Sequence, residues 1–218
     1  MEKSEYRVNL VNEYLTKLSL SEDIKEFFFR RNILVTGGAG AIGSNLVIAL
    51  SESVGDQGMV IVLDNLSAIK GSDPIDFPSL SNVMFVKGDV RNDVDLKRVF
   101  RERPTIVYHL AAFFANQNSV DYPENSADVD INGIIKLLDL AQFTNVERFV
   151  YASSGCAIYG SYGEMPLKED FISMHLTTPY QINKMTGEMY ANFYFHHYGL
   201  KIVNCRFFNS FGPGEVPG

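Results

Sequence analysis

Thr36-Gly37-Gly38-Ala39-Gly40-Ala41-Ile42-Gly43 follows directly on the apolar run Ile33-Leu34-Val35 and leads into Ser44-Asn45-Leu46-Val47-Ile48-Ala49-Leu50. Ile33 to Thr36 is short, apolar and β-branched, which predicts a buried strand. Ser44 to Ser51 carries apolar residues at helical spacing. A glycine-rich stretch between such a strand and such a helix turns tightly, lets its backbone approach a ligand, and lets the helix sit close to the sheet. Two glycine patterns overlap here. Gly38, Gly40 and Gly43 match the dinucleotide fingerprint, and Gly37, Gly40 and Gly43 match the variant with glycine at every third position. The helix start, with Ala41 and Ile42 in its first turn, offers N–H groups and the positive dipole end to a pyrophosphate. A glycine cluster alone could be a plain turn; the strand before it and the helix after it favour dinucleotide binding.

Working outward, Met59 to Leu63 reads as a second strand, and it ends in Asp64, 21 positions beyond Gly43. An acid there accepts the adenosine ribose hydroxyls. It also repels a 2′-phosphate, and no arginine adjoins it in sequence, so NAD is expected over NADP. Val83 to Val86 is a third strand, followed by Asp89 and Val90, candidates for framing the adenine; the alternative for Asp89 is a loop cap. Further on come a helix over Asp93 to Arg101, a strand over Ile106 to Leu110, and a helix over Ile131 to Gln142. A strand over Arg148 to Ala152, a helix over Pro179 to Tyr198 and a strand over Lys201 to Phe207 complete the series. Strands alternating with helices predict a doubly wound α/β domain with a parallel sheet.

Tyr180 and Lys184 lie four residues apart on one predicted helix and so share a face. Free tyrosine titrates near ~10, too high for a good base at neutral pH. A neighbouring ammonium and a bound nicotinamide cation are expected to lower that value, so that Tyr180 can remove and return a hydroxyl proton. Tyr-x-x-x-Lys alone is a common coincidence. Placed after the fifth strand of this fold, it is specific.

Together these residues resemble the extended short-chain dehydrogenase/reductase family, which contains the nucleotide-sugar epimerases and dehydratases. The likeness runs from Asn32 to Gly214. It includes TGGAGAIGSN at 36–45, DNLS at 64–67, GDV at 88–90, HLAA at 109–112, YASSGCAIYG at 151–160, YQINK at 180–184, GE at 187–188 and RFFNSFGPG at 206–214. The resemblance implies a Rossmann fold holding NAD. Gly37, Gly40, Ala41, Ile42, Gly43, Asp64, Asn65, Asp89, Val90, Tyr180 and Lys184 would contact the cofactor, and Leu110, Ala111 and Ala112 would line its cleft. Lys184 would hold the nicotinamide ribose, and Asn209 the substrate's phosphates or sugar.

Three departures qualify the likeness. The family's catalytic serine or threonine falls on Gly155, so Ser154 or Ser153 must substitute, or Tyr180 must act alone; Cys156 is a poor donor and is expected to pack. The family's asparagine in its Asn-Val-x-Gly-Thr helix motif falls on Asp130, before Ile131, Asn132 and Gly133, and the charge of an acid there would change the field near the lysine. The chain ends at Gly218, before the substrate domain the resemblance implies, which would need roughly another 100 residues. The division expected is a helical extension over 1–31 and a Rossmann domain over 32–218, truncated before that substrate domain. Such a chain should bind NAD yet bind nucleotide sugars weakly.

The residues also choose among reactions. Family dehydratases carry acids after the catalytic threonine, and the related decarboxylases a glutamate; here Cys156 and Ala157 stand there. Neither supplies a proton for elimination. Reversible oxidation at one sugar carbon remains, which fits a nucleotide-sugar 4-epimerase working through a transient keto sugar. The alternatives are a dehydratase or reductase of the same fold, or a non-catalytic NAD-binding module such as a redox sensor.

Composition excludes other classes. The 218 residues are 46% hydrophobic and 21% charged, with a formal net charge of -7 and no block of cations. Nucleic acid is therefore not an expected partner. Cys156 and Cys205 show no metal-ligand spacing, no apolar run could span a membrane, and the charged N-terminus is no signal peptide; a reduced cytoplasmic setting fits. Val8, Val11, Leu15 and Leu18 predict one amphipathic helix in the extension, and the Ser19/Glu22 spacing predicts a capped second one. Phe27-Phe28-Phe29 must pack, either on the main domain or on another copy; a homodimer is expected. Arg30 and Arg31 read as an exposed charged pair, and His175, His196 and His197 as surface residues.

Overall fold

The computed structural model describes residues 3–18, 21–67, 80–113, 116–160 and 165–212. Strands β1 (Asn32–Thr36), β2 (Met59–Asp64), β3 (Val83–Lys87), β4 (Ile106–His109), β5 (Arg148–Ser154) and β6 (Ile202–Phe207) form one parallel sheet in the order β3-β2-β1-β4-β5-β6. The order reverses between β1 and β4, which places the ligand crevice at the carboxyl ends of those two strands. This is the doubly wound Rossmann arrangement. Register pairs Thr36 with both Leu63 and His109, so the ends of β1, β2 and β4 are level there.

Alternation along the strands builds two cores. Ile33, Val35, Val60, Val62 and Ile106 face helix α3 (Ala41–Val54) with its Val47, Leu50 and Val54. Leu34, Ile61, Leu63, Val107, Phe149 and Tyr151 face the other way, onto α4 (Asp93–Phe100), α7 (Gly133–Phe143) and α9 (Pro179–Tyr198). Strands covered on both faces read as continuous apolar runs.

The long helix α9 has strong end signals. Thr178 accepts from the Gln181 N–H and Gln181 reaches back, Pro179 occupies the first turn, and left-handed Gly199 ends it. Between β4 and α7 the chain forms α5 (Asn116–Asp121), α6 (Pro123–Ala127) and a π turn over Asp128–Asn132, none of which the apolar periodicity announces. The short helix α8 (Gly155–Tyr159) after β5 is likewise unannounced; Ser154 caps it by accepting from Ala157 N at 3.3 Å.

The extension is two helices, α1 (Lys3–Leu18) and α2 (Glu22–Phe28), both resting on α3. Ser21 precedes α2 and makes no side-chain cap; Ser19 lies outside the described residues. Only Phe28 of the three phenylalanines packs against the core, while Phe27 and Phe29 stay exposed. Arg31 is not a free surface charge: it pairs with Glu147 at 2.6 Å, donates to the Phe27 carbonyl and lies over the Phe27 ring. Among the described residues no helix is long and apolar enough to cross a membrane.

Candidate active site

The glycine loop is forced by its surroundings. Gly37 has φ +71°, and a Cβ there would stand 2.6 Å from the Ala111 backbone nitrogen. The residues after β4, Leu110 and Ala111, therefore press directly on the loop. A Cβ on Gly43 would overlap the Gly37 carbonyl oxygen, so the first turn of α3 sits against the loop backbone. Gly40 begins α3 with no side-chain cap and no acid in the first turn, leaving the N–H groups around Ala41, Ile42 and Gly43 to an anionic ligand.

Asp64 closes the other side. Its carboxylate accepts from Ala39 N at 2.9 Å and from Leu66 N at 2.8 Å, which ties the end of β2 to the loop. Asn65 donates to Asp89 at 2.9 Å, and Arg91 grips Asp89 through Nε at 2.9 Å and Nη2 at 2.8 Å. That hydrogen-bonded guanidinium holds the Asp89 carboxyl down at about 2. Asp89 also accepts from Arg91 N at 2.9 Å, so its side chain does the work of a loop cap. The Val90 side chain is in the core, which leaves its backbone to face a ligand. Arg91 is further engaged by Asp128 at 3.5 Å, so this nearby arginine is already matched by two acids. The uncapped helix end, the close-packed glycine backbone and an acceptor at the tip of β2 fit a dinucleotide.

The second cluster stands at the end of β5. Tyr180, in the first turn of α9, is held by its N–H donating to the buried Ser119 at 3.1 Å. Ser154 lies beside its phenol, near enough to favour the phenolate. Ser154 Oγ accepts from Ala157 N, so its own proton remains to be donated. Ser153, the neighbour on the strand, points away and donates to Glu188 at 2.5 Å. Glu188 is itself gripped by Arg206 at 2.8 Å, a buried pair that also reaches Tyr159. The structure therefore brings Ser154 to Tyr180 and commits Ser153 elsewhere. Cys156 is exposed on α8 rather than packed, and it stands near Tyr180.

Burial pushes the Tyr180 phenol above its ordinary value, and the neighbouring Ser154 hydroxyl pulls it back. The downward shift expected from the helix spacing is thus not present in the protein alone; removal of water outweighs it. One turn along, Lys184 is 3% exposed and donates to the Ala152 carbonyl at 2.8 Å, with Nζ 5.1 Å from the Tyr151 ring centre and 5.8 Å from that of Tyr180. Burial lowers its pKa, and the nearby Asp130 raises it. His109 is wholly buried, bonded to Thr36 at 2.7 Å and stacked on Tyr151; burial drops its pKa to about 3, so it is a neutral brace between β1 and β4.

Asn209 lies exposed just beyond β6 and is not joined to this cluster in the hydrogen bonds of the described residues. Beside it, a cavity of about 700 Å³ opens between α8, α9 and β6, lined by Ile158, Met185, Asn204 and Phe208, with Glu188 and Arg206 in its wall. None of Asp64, Tyr180 or Lys184 lines it. No sequence signal marked this cavity, because it is assembled from four separated segments, α8, the stretch 165–172, α9 and β6.

Known proteins resemble the chain over this same region. A UDP-glucose 4-epimerase from Mycolicibacterium smegmatis is 35% identical over 185 residues, covering 84% of this chain and 58% of that protein. Among solved structures, an epimerase from Methanothermobacter thermautotrophicus is 51% identical with a TM-score of 0.84, over 89% of this chain and 56% of its own. A UDP-glucose 4-epimerase from Thermotoga maritima, crystallised with UDP-glucose, is 37% identical with a TM-score of 0.76, over 85% of this chain and 58% of its own. The chain thus spans a little under three-fifths of the length of these relatives. The family model described as the NAD dependent epimerase/dehydratase family matches residues 33–218. With that match, and with the glycine cradle and the Tyr180–Lys184 helix where the doubly wound sheet puts them, the chain belongs to the NAD dependent epimerase/dehydratase family.

Proposed function

We propose that the chain serves an NAD-dependent nucleotide-sugar 4-epimerase. The observation that carries this reading is the placement of Tyr180 and the buried Lys184 one helical turn apart on α9, with Ser154 beside the phenol at the tip of β5. NAD, when bound, supplies reversible acceptance of hydride from the sugar carbon.

The chain's own residues do the rest. The α3 N-terminus and the Gly37–Gly43 backbone hold the pyrophosphate, and Asp64 the adenosine ribose. Leu110, Ala111 and Ala112 line the cleft, and Lys184 holds the nicotinamide ribose. Tyr180 takes the proton of the C4 hydroxyl and returns it, while Ser154 hydrogen-bonds the same oxygen. Burial favours a protonated Tyr180, so its base form depends on positive charge beside the phenolate, and Lys184 provides one such charge. Asn209 contacts the substrate. The positions that would hold acids in a dehydratase present the Cys156 thiol and the fully buried Ala157 methyl, which supports epimerisation over water loss.

A homodimer belongs to the same reading. Ile182, Met189 and Phe193 form an exposed apolar stripe along α9, and sedimentation over a concentration series checks it. The test of function is to incubate the full-length polypeptide with UDP-glucose, UDP-glucuronate and UDP-N-acetylglucosamine and follow the sugar by proton NMR. The expected result is a C4 epimer with no net oxidation. A dehydrated sugar, or stoichiometric NAD binding without product, contradicts it.

A further inference from the structure

The lysine of the active pair sits in an unusual setting. Lys184 is almost completely buried, yet its one hydrogen bond among the described residues goes to a neutral carbonyl, that of Ala152. A charged ammonium withdrawn from water needs compensation beyond one dipole. The groups around it can be taken element by element. From β5 comes the Tyr151 ring, from α9 the Tyr180 ring, and from β4 His109, which is neutral. The π turn contributes Asp130, 2% exposed. Of these, Asp130 alone brings a negative charge.

Asp130 is built to carry that charge. It accepts from Phe113 N at 2.8 Å and from Ser126 Oγ at 3.3 Å, and Asn183, the residue before Lys184, donates to Ser126 at 2.9 Å, which joins Asp130 to α9. Both groups bonded to the carboxyl are donors, the arrangement that suits a carboxylate. The π turn inserts one extra residue and places Val129 and Asp130 inside together.

We infer that Asp130 is the fixed counter-charge that keeps the buried Lys184 an ammonium, a positioning residue that acts on the reaction through Lys184. This rests on the reading of Tyr180 and Lys184 as the reacting pair. The family likeness places an asparagine here, so the exchange adds a charge with almost no change of shape. It has a second consequence. Asp130 also faces Tyr151 and Tyr180 and opposes a phenolate at either. Ser154 at the end of β5 and Cys156 on α8 act on Tyr180 as well, and Glu188, near Tyr151, is matched by Arg206. Asp130 thus holds the cation in place while raising the threshold for ionising the tyrosine. Burial resists the charged form of Asp130, and Lys184 is the main influence pulling the other way, so each ion supports its partner.

The test is carbon NMR on protein labelled at lysine Cε and aspartate Cγ, with the Lys184 signal identified by its loss in Lys184→Arg. In Asp130→Asn, which keeps a carbonyl acceptor for Phe113 N, the Lys184 titration midpoint should fall by about 1 pH unit or more. An unmoved midpoint overturns the proposal. The wild-type protein gives a second reading that needs no variant: Asp130 should be ionised at neutral pH, and a protonated carboxyl there overturns it equally. Turnover of Tyr180→Phe separates this from the functional reading. A Tyr180→Phe protein that stays active removes the reaction but leaves the counter-charge role of Asp130 standing. An inactive one with an unmoved lysine removes only the role of Asp130.

Discussion

The ring of Phe208 fills the space that a side chain at position 155 would occupy: a Cβ built on Gly155 would stand 2.6 Å from Cζ of Phe208. Phe208 in turn stacks on Tyr159, with ring centres 5.9 Å apart. A side chain at 155 and a phenylalanine at 208 compete for one volume. Gly155→Ser should therefore lower stability by about 1 kcal/mol through displacement of the ring. In a Phe208→Ala background the same change should cost less. Denaturant unfolding of the two single variants and the double variant measures the coupling, and strict additivity would contradict the shared-volume account.

The glycine cradle makes a sharper claim. A Cβ on Gly43 meets backbone, the Gly37 carbonyl, which cannot swing aside as a side chain can. Gly43→Ala should cost roughly 1–3 kcal/mol and abolish measurable NAD binding in calorimetry, because α3 must retreat from the loop. Unchanged affinity would mean that the pyrophosphate does not bind there.

Asp64→Asn should narrow the preference for NAD over NADP by about tenfold or more, equivalent to roughly 1.4 kcal/mol, since the charge facing a 2′-phosphate is removed. Arg91 does not replace that discrimination, being held by Asp89 and Asp128. Calorimetry with both dinucleotides measures the ratio, and equal affinities in the wild type would contradict the role of Asp64.

Tyr151 is buried under Lys184, and its hydroxyl has no hydrogen-bond partner among the described residues. Removing an unsatisfied buried hydroxyl while keeping the ring should be neutral or stabilising by about 1 kcal/mol. Thermal unfolding of Tyr151→Phe checks this, and a marked loss of stability would show that the hydroxyl is bonded after all.

The sheet was legible because Ile33–Val35, Met59–Leu63 and their successors are apolar and β-branched, and because one glycine loop fixes the phase of everything after it. Helix α9 was legible to the residue, since Pro179 and Gly199 mark its ends. The choice between Ser153 and Ser154 was not. They alternate across the strand, and only the position of Glu188 on α9 shows which one is already engaged. The π turn was hidden because its signal is the burial of Asp130, a residue that hydropathy assigns to the surface. The raised Tyr180 pKa was hidden for a related reason: spacing shows which charge is near, and the amount of water excluded appears only in the packed structure.

The most direct test of the account is turnover of a nucleotide sugar by the full-length polypeptide carrying Tyr180→Phe, measured beside its affinity for NAD. The ring still packs and only the hydroxyl beside Ser154 is lost. The expected result is a drop in turnover of about 10²–10⁴-fold with NAD affinity nearly unchanged. Retention of most of the activity would show that the proton is handled by another group and would contradict the assignment of Tyr180.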